Sequence, residues 1–289
     1  MGIVIFDGVA YGMLLFLVGV GLSVTLGLMR FVNLAHGVFA MAGGYAAVWC
    51  MQRWGLGFYA ALGAAFAVAA LLGALLEGLL YRRLYGAATL DQVLLSIGLV
   101  FVAVAAATWL FGPAVQPFAL PPSLQGQVRL GWLGGLELGR YRLFLVACGA
   151  LVLAALLLLG RTRHGAMVRA AVDNPRVAAA TGIDVRRLFA VTFALACGLA
   201  GLGGALSLGL LGLEPHFPLQ YLVYFLLVVC VGGAGSIAGP FLAALLVGIV
   251  DVAGKYYLPQ AGAFLVYLFM VAVLLLRPHG LLARKGAAA

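Results

Sequence analysis

RTRHGAMVRAAVDNPRVAAATGIDVRR, residues 161–187, holds six of the seventeen Lys and Arg residues and lies between two uncharged apolar runs, Leu143–Gly160 and Leu188–Leu213. Each flanking run is long enough as a helix to cross a bilayer core of about 30 Å at 1.5 Å per residue. A basic loop between two such runs is the pattern of a polytopic helical membrane protein, because only helices and closed barrels satisfy their backbone groups in lipid. Composition agrees: 65% of the 289 residues are hydrophobic and 9% are charged, against about 25% charged in a soluble domain. A β-barrel would need segments of roughly ten residues that alternate apolar and polar. The runs here are continuous, so the fold class is all-α.

The remaining chain divides in the same way. Val9–Met29, Leu56–Leu76, Val93–Phe111 and Ala261–Leu276 are further apolar runs. Leu219–Val250 has 32 uncharged residues, interrupted by Gly232-Gly233-Ala234-Gly235-Ser236-Ile237-Ala238-Gly239-Pro240. As one helix it would span roughly 48 Å, so two helices or a re-entrant pair are expected. A second break is expected at Arg30-Phe31-Val32-Asn33-Leu34-Ala35-His36-Gly37, because Asn and His are costly at membrane depth. The expectation is about eight to nine transmembrane segments with two broken or re-entrant helix pairs, in one transmembrane domain over 1–289. The paired breaks lie about 200 residues apart, and broken elements in two halves of a transporter point to the substrate path. The proline- and glycine-rich stretch 112–142 reads as an external loop carrying a small hairpin. The N-terminus has no positive n-region and its first apolar run is long enough to span, so no cleavable signal is expected.

Positive charge orients the chain. With Arg82-Arg83, 161–187 and the C-terminus inside, twelve Lys and Arg are cytoplasmic and five are outside. The N-terminus is then outside, the C-terminus is cytoplasmic, and regions 9–52 and 219–257 each start and end outside. The net charge of +9 belongs to these loops and does not indicate nucleic acid. The four cysteines show no metal or disulfide spacing, and no cofactor or metal site is expected.

Within the central loop, Asn174 is a preferred N-cap and Pro175 fits the first helical position. Gly182 is suited to the left-handed C′ position, and Asp184 caps the next helix. A short helix held between two stiff ends suits a coupling element presented to a partner. The plain alternative is an ordinary positive-inside loop. Asn33, His36 and Gly37 read either as a polar patch at a gate or as a helix-start cap. Gly232, Gly233, Gly235, Ser236 and Gly239 read either as exposed backbone along a path or as close packing in a tight turn. Asp251 and Lys255, four apart, read as a local ion pair, and Glu77 is within reach of Arg82 or Arg83. Every acidic residue is expected at a span edge or in a loop, which disfavours an ion-coupled secondary transporter. No catalytic constellation appears within the spans, so an enzyme is not expected. A passive channel stays open on composition.

Three blocks carry a resemblance: GLMRFVNLAHGVFAMAGGYAAV (27–48), MVRAAVDNPRVAAATGIDVRRLFAVTFALACGLAGLGGAL (167–206) and VVCVGGAGSIAGPFLAALLVGIVD (228–251). In order and spacing the chain resembles the LivH-type inner-membrane permease of branched-chain amino acid ABC transporters. The resemblance implies an importer subunit in the bacterial inner membrane. Its partners would be a second permease subunit, LivM-like or identical, two cytoplasmic ATP-binding subunits and a periplasmic substrate-binding protein. It also implies that the ATPase contacts run through Asn174, Pro175, Arg176, Thr181, Gly182 and Asp184. This chain has no GxxxxGK[ST] phosphate loop. Urea and short-amide permeases share the same blocks.

Overall fold

The computed structural model describes residues 1–29, 31, 33–130, 136–233, 236–277 and 280–282. The chain is built from α1 (Gly2–Met29), α2 (His36–Trp54), α3 (Phe58–Leu79), α4 (Thr89–Phe111), α5 (Arg140–Arg161), α6 (Arg163–Asp173), α7 (Pro175–Ala180), α8 (Val185–Ser207), α9 (Phe217–Gln220), α10 (Leu222–Gly232), α11 (Ala238–Tyr257) and α12 (Gly262–Leu276). Two short strands, β1 (Gln127–Leu130) and β2 (Leu136–Gly139), form the expected hairpin with Arg129 opposite Glu137.

Six helices, α1, α3, α4, α5, α8 and α11, are long and apolar enough to cross a membrane. The rest of the eight or nine expected segments would have to come from α2 and the shorter apolar helices α10 and α12. The long run at 219–250 is two helices, as its glycines predict. Helix limits differ from the apolar runs in both directions. Helix α1 starts at Gly2 rather than Val9, because Asp7 does not end it: its carboxylate pairs with Arg142 at 2.8 Å. Helix α8 stops at Ser207 rather than Leu213, where Leu210 and Leu211 turn back to donate to the Ser207 carbonyl.

Helix α1 is the axis of the bundle: 72% of its apolar window is buried, against 17% in α4 and in α5. Those outer helices turn large apolar side chains outward, such as Phe101, Leu151 and Trp109, the last 84% exposed. Such a surface belongs in lipid rather than water. Close helix approach rests on small residues. Gly12 of α1 faces Gly248 of α11, and Gly204 of α8 lies against the Ala40 carbonyl of α2, with no room for a Cβ at either crossing.

The contacts also sort the loops. Gly8 and Gly12 of α1 meet Ile249 and Leu245 of α11, and Val18 and Gly21 meet Gly203 and Ala196 of α8, so α1 runs antiparallel to both. Gly73 and Ala69 of α3 meet Cys197 and Gly201, so α3 is antiparallel to α8 as well. The ends of α1 and α3, the 161–187 segment and the break after α10 therefore share one end of the bundle. The hairpin, Trp54, the turn after α8 and the end of α11 share the other. Among the described residues nine Lys and Arg lie at the first end and five at the second. We call these the basic end and the hairpin end.

Two of the acidic residues, Glu77 and Asp251, are more buried than their sequence positions imply. Glu77 is 1% exposed and is held by Arg82 at 2.9 Å and by the Tyr85 hydroxyl at 2.9 Å. Asp251, also 1% exposed, takes Lys255 at 2.7 Å and the Tyr224 hydroxyl at 3.1 Å. A buried carboxylate is tolerable when it is paired and hydrogen-bonded in this way. Both therefore act as ties, α3 to its own end and α10 to α11.

Candidate functional site

The basic end carries two structures of interest: the capped segment 174–184 and a pair of helix breaks. In the first, Asn174 Oδ1 accepts from the backbone N–H groups of Arg176 and Val177, both at 3.1 Å. Thr181 ends α7, and Gly182 follows with φ +88°, in the left-handed region that a side chain disfavours. The Gly182 N–H then donates to Ala179 O at 3.0 Å and the Ile183 N–H to Ala178 O at 3.2 Å. That is the full Schellman pattern at a helix C-terminus. Asp184 Oδ1 accepts from Arg187 N–H at 3.0 Å and starts α8. Helix α7 buries only Ala178, against Ala171 and Leu188. Arg176 and Val177 face outward, Val177 58% exposed. The result is a mostly exposed six-residue helix held at its start by the Asn174 side chain and at its end by the backbone turn at Gly182.

The first break, between α1 and α2, is organised by polar side chains. Asn33 is fully buried. Its Oδ1 accepts from Ala35 N–H at 3.1 Å and from the Tyr81 hydroxyl at 3.0 Å. The helix begins at His36, two residues later than a cap at Asn33 would place it, so Asn33 organises the turn before the helix rather than capping it at N3. His36 Nε2 lies 2.9 Å from the Val18 carbonyl of α1. Asn33 Nδ2 and His36 Nδ1 are buried without a partner among the described residues. Gly37 packs on Pro218 and Phe225, so the first break touches α9 and α10 of the second broken region.

The second break, between α10 and α11, is organised by backbone. Gly232 and Gly239 face each other with no space for a Cβ on either. Gly233 ends α10 at φ +88°. Ser236 Oγ accepts from Gly239 N–H at 3.0 Å, and the Ser236 carbonyl accepts from Ser23 of α1 at 3.3 Å. Gly235 lies outside the described residues. Both breaks thus lean on α1, at Val18 and at Ser23. The capped segment touches neither; it packs on α6 and α8.

Two contributors have no signal in the sequence, and a third, α6, reads there only as the helix that precedes the Asn174 cap. Tyr81 anchors the first break from the short helical turn that follows α3, a pairing 48 residues away with no local signal. The segment Gly280–Leu282 straps the second: Leu281 N–H donates to Val231 O at 2.7 Å, and Gly280 sits against Gly233. Helix α6 lies between the capped segment and the second break. Its alternation of Gly165, Val168, Ala171 and Val172 with Arg163 and Arg169 was the available clue.

The family model for the branched-chain amino acid transport system / permease component matches residues 4–276, which takes in both breaks and the capped segment. The chain belongs to this family. It is 27% identical over 289 residues to the probable branched-chain amino acid transport permease protein LivH of Methanocaldococcus jannaschii, covering 94% of this chain and 90% of that one. It is 26% identical to the high-affinity branched-chain amino acid transport system permease proteins BraD of Pseudomonas aeruginosa and LivH of Escherichia coli, each match covering 96% of this chain and 94% of the relative. No solved structure matches the chain. With its six long apolar helices, this LivH-type permease is a multi-pass membrane protein and not an enzyme.

Proposed function

We propose that this chain forms half of the translocation path of an ATP-driven importer of branched-chain amino acids, with the basic end in the cytoplasm and the N-terminus outside. The observation that carries the reading is α7. A helix of six residues cannot stabilise itself in water, and here caps at both ends hold it outward at the basic end. A rigid protrusion of this kind transmits displacement, whereas a floppy loop absorbs it. In this reading Asn174, Pro175, Arg176, Thr181, Gly182 and Asp184 form the seat of a cytoplasmic ATP-binding subunit. A second permease subunit completes the pore, and a substrate-binding protein delivers solute at the hairpin end. Asn33, His36 and Gly37, with Gly232, Gly233, Gly235, Ser236 and Gly239, form the two hinges of the path or gate. The whole chain 1–289 acts as one permease domain, with 112–142 external and 161–187 cytoplasmic. The substrate class follows from what the relatives are named for.

The test is uptake by the assembled transporter in proteoliposomes, with labelled leucine and labelled urea. Accumulation of leucine but not urea, driven by ATP, is expected; the reverse selectivity overturns the substrate. For coupling, Gly182→Ala places a side chain where φ is positive, a strain of about 1–2 kcal/mol on a short helix. ATPase stimulation by the binding protein should fall at least tenfold in Gly182→Ala combined with Arg176→Ala. Stimulation at the wild-type level in that variant removes the segment from the coupling path.

A further inference from the structure

At the basic end α1, α5, α6 and α8 enclose a cavity of about 250 Å³. Its walls are apolar: Val24, Leu156, Val168, Leu199 and Ile237 are representative. Thr192 and Ser236 add hydroxyls, and two basic side chains break the pattern further. His164 Nε2 is buried and has no hydrogen-bond partner among the described residues. Arg169 also lines the cavity; it donates to the Gly160 carbonyl at the end of α5, and among the described residues it makes no ion pair. The side wall is not sealed. Leu159 and Leu195 both line the cavity and are 38% and 37% exposed, so it opens sideways onto the flank between α5 and α8.

These features select an occupant. A helix of a second subunit is about 10–12 Å across with its side chains, too wide for this space. A zwitterionic amino acid brings a cation as well as an anion, and among the described residues no carboxylate side chain lines the cavity to pair with its ammonium group. An aliphatic chain carrying an anionic head satisfies both the walls and the cation. Basic pockets between transmembrane helices on the cytoplasmic side bind the head groups of anionic lipids. We propose that this cavity is a site for an anionic phospholipid, one acyl chain entering between α5 and α8 and the phosphate resting on Arg169 and His164. Bound there, the lipid would touch α6, which carries the capped segment, and Ile237 of the second break.

The test uses the full-length chain in its assembled transporter, in nanodiscs, with phosphatidylglycerol bearing a photoactivatable diazirine on one acyl chain. Labelling is mapped by mass spectrometry. Peptides containing Val168–Val172 and Leu195–Leu199 are expected to label at least fivefold more with this probe than with phosphatidylcholine carrying the same chain. Arg169→Glu should bring labelling down to the phosphatidylcholine level and Arg169→Lys should retain it. Leu195→Trp, which fills the cavity with Arg169 intact, should abolish it. Equal labelling by the two lipids in the wild-type protein overturns the proposal, and that comparison needs no variant to fold. So does labelling by a diazirine fatty acid without labelling by phosphatidylglycerol, or no labelling of these peptides by any probe.

Discussion

The two helix breaks solve one problem with different materials. Each ends a helix near the basic end and must satisfy backbone groups that water cannot reach. At the first, side chains do the work: Asn33 Oδ1 bridges Ala35 N–H and the Tyr81 hydroxyl, and His36 reaches Val18. At the second, missing side chains do it: Gly232 and Gly239 let two backbones approach, and a strap of backbone N–H groups takes the free carbonyls. The first is a polar joint with atoms left unpartnered among the described residues, Asn33 Nδ2 and His36 Nδ1. The second is a packed joint without them among its described residues. Polar atoms buried without partners are costly, so the first joint has more to gain by rearranging. In the importer reading, the first break is the hinge that moves and the second is the pivot it moves against.

The largest effect should come from the packed joint. Gly239→Ala puts a methyl into the Gly232 carbonyl and close to Ser236 Oγ; the hydroxyl can turn aside, but the carbonyl cannot retreat without unwinding a helix end. Overpacking of this kind costs about 1–3 kcal/mol, and a backbone neighbour puts it at the top of that range. We expect the thermal transition in detergent to fall by more than in any other variant named here, with uptake lost. A Gly239→Ala protein that melted like wild type would show that the joint is loose and end the contrast.

Next is Asn33→Ala. It strips Ala35 N–H and the Tyr81 hydroxyl of their acceptor in a buried site, and leaving such groups unsatisfied costs about 1–3 kcal/mol. The variant also removes the unpartnered Nδ2, which offsets part of that, so a loss of about 2 kcal/mol in chemical denaturation is expected. A loss equal to that of Gly239→Ala would make the two joints equally rigid.

The difference between the joints also explains what the sequence could reveal. Helical class, the second break and the capped segment are local: apolar runs, a glycine cluster, and Asn-Pro and Gly-Ile-Asp at fixed offsets. Each rule acts within a few residues, and Asn174, Gly182 and Asp184 do what their types dictate. The first break was legible as a break, because Asn33 and His36 stand out in an apolar run, but not as a joint, because its partner Tyr81 comes from another helix. The burial of Glu77 and Asp251 was hidden for the same reason. Tyr85 and Tyr224, eight and twenty-seven residues away, make the buried carboxylates tolerable. The strap at Gly280–Leu282 has no side-chain signature at all, since it acts through backbone N–H groups.

That strap gives a smaller test of the packed joint. Leu281→Pro deletes the N–H that donates to Val231 O at 2.7 Å while keeping an apolar residue there. One net hydrogen bond is worth about 0.5–1.5 kcal/mol, and the upper part of that range is expected because proline also restricts the strap. Hydrogen exchange should rise selectively in the last turn of α10. Unchanged protection there would mean that the joint holds without its strap.

The smallest effect should be Tyr81→Phe, which separates the two duties of Asn33. The ring stays, edge-on to Phe31 with centroids 5.1 Å apart and 5.0 Å from Phe193. Only the hydroxyl leaves, and Asn33 Oδ1 still accepts from Ala35 N–H. No donor or acceptor is fully stripped, so the loss should be about 0.5–1 kcal/mol, below that of Asn33→Ala. The two variants together apportion the polar joint. If Tyr81→Phe costs as much as Asn33→Ala, the bond across to the turn after α3 is the whole of Asn33's contribution and the turn at Ala35 closes by itself. If it costs nothing, the joint is internal to the α1–α2 connection, and α3 can shift against it without breaking a bond that matters.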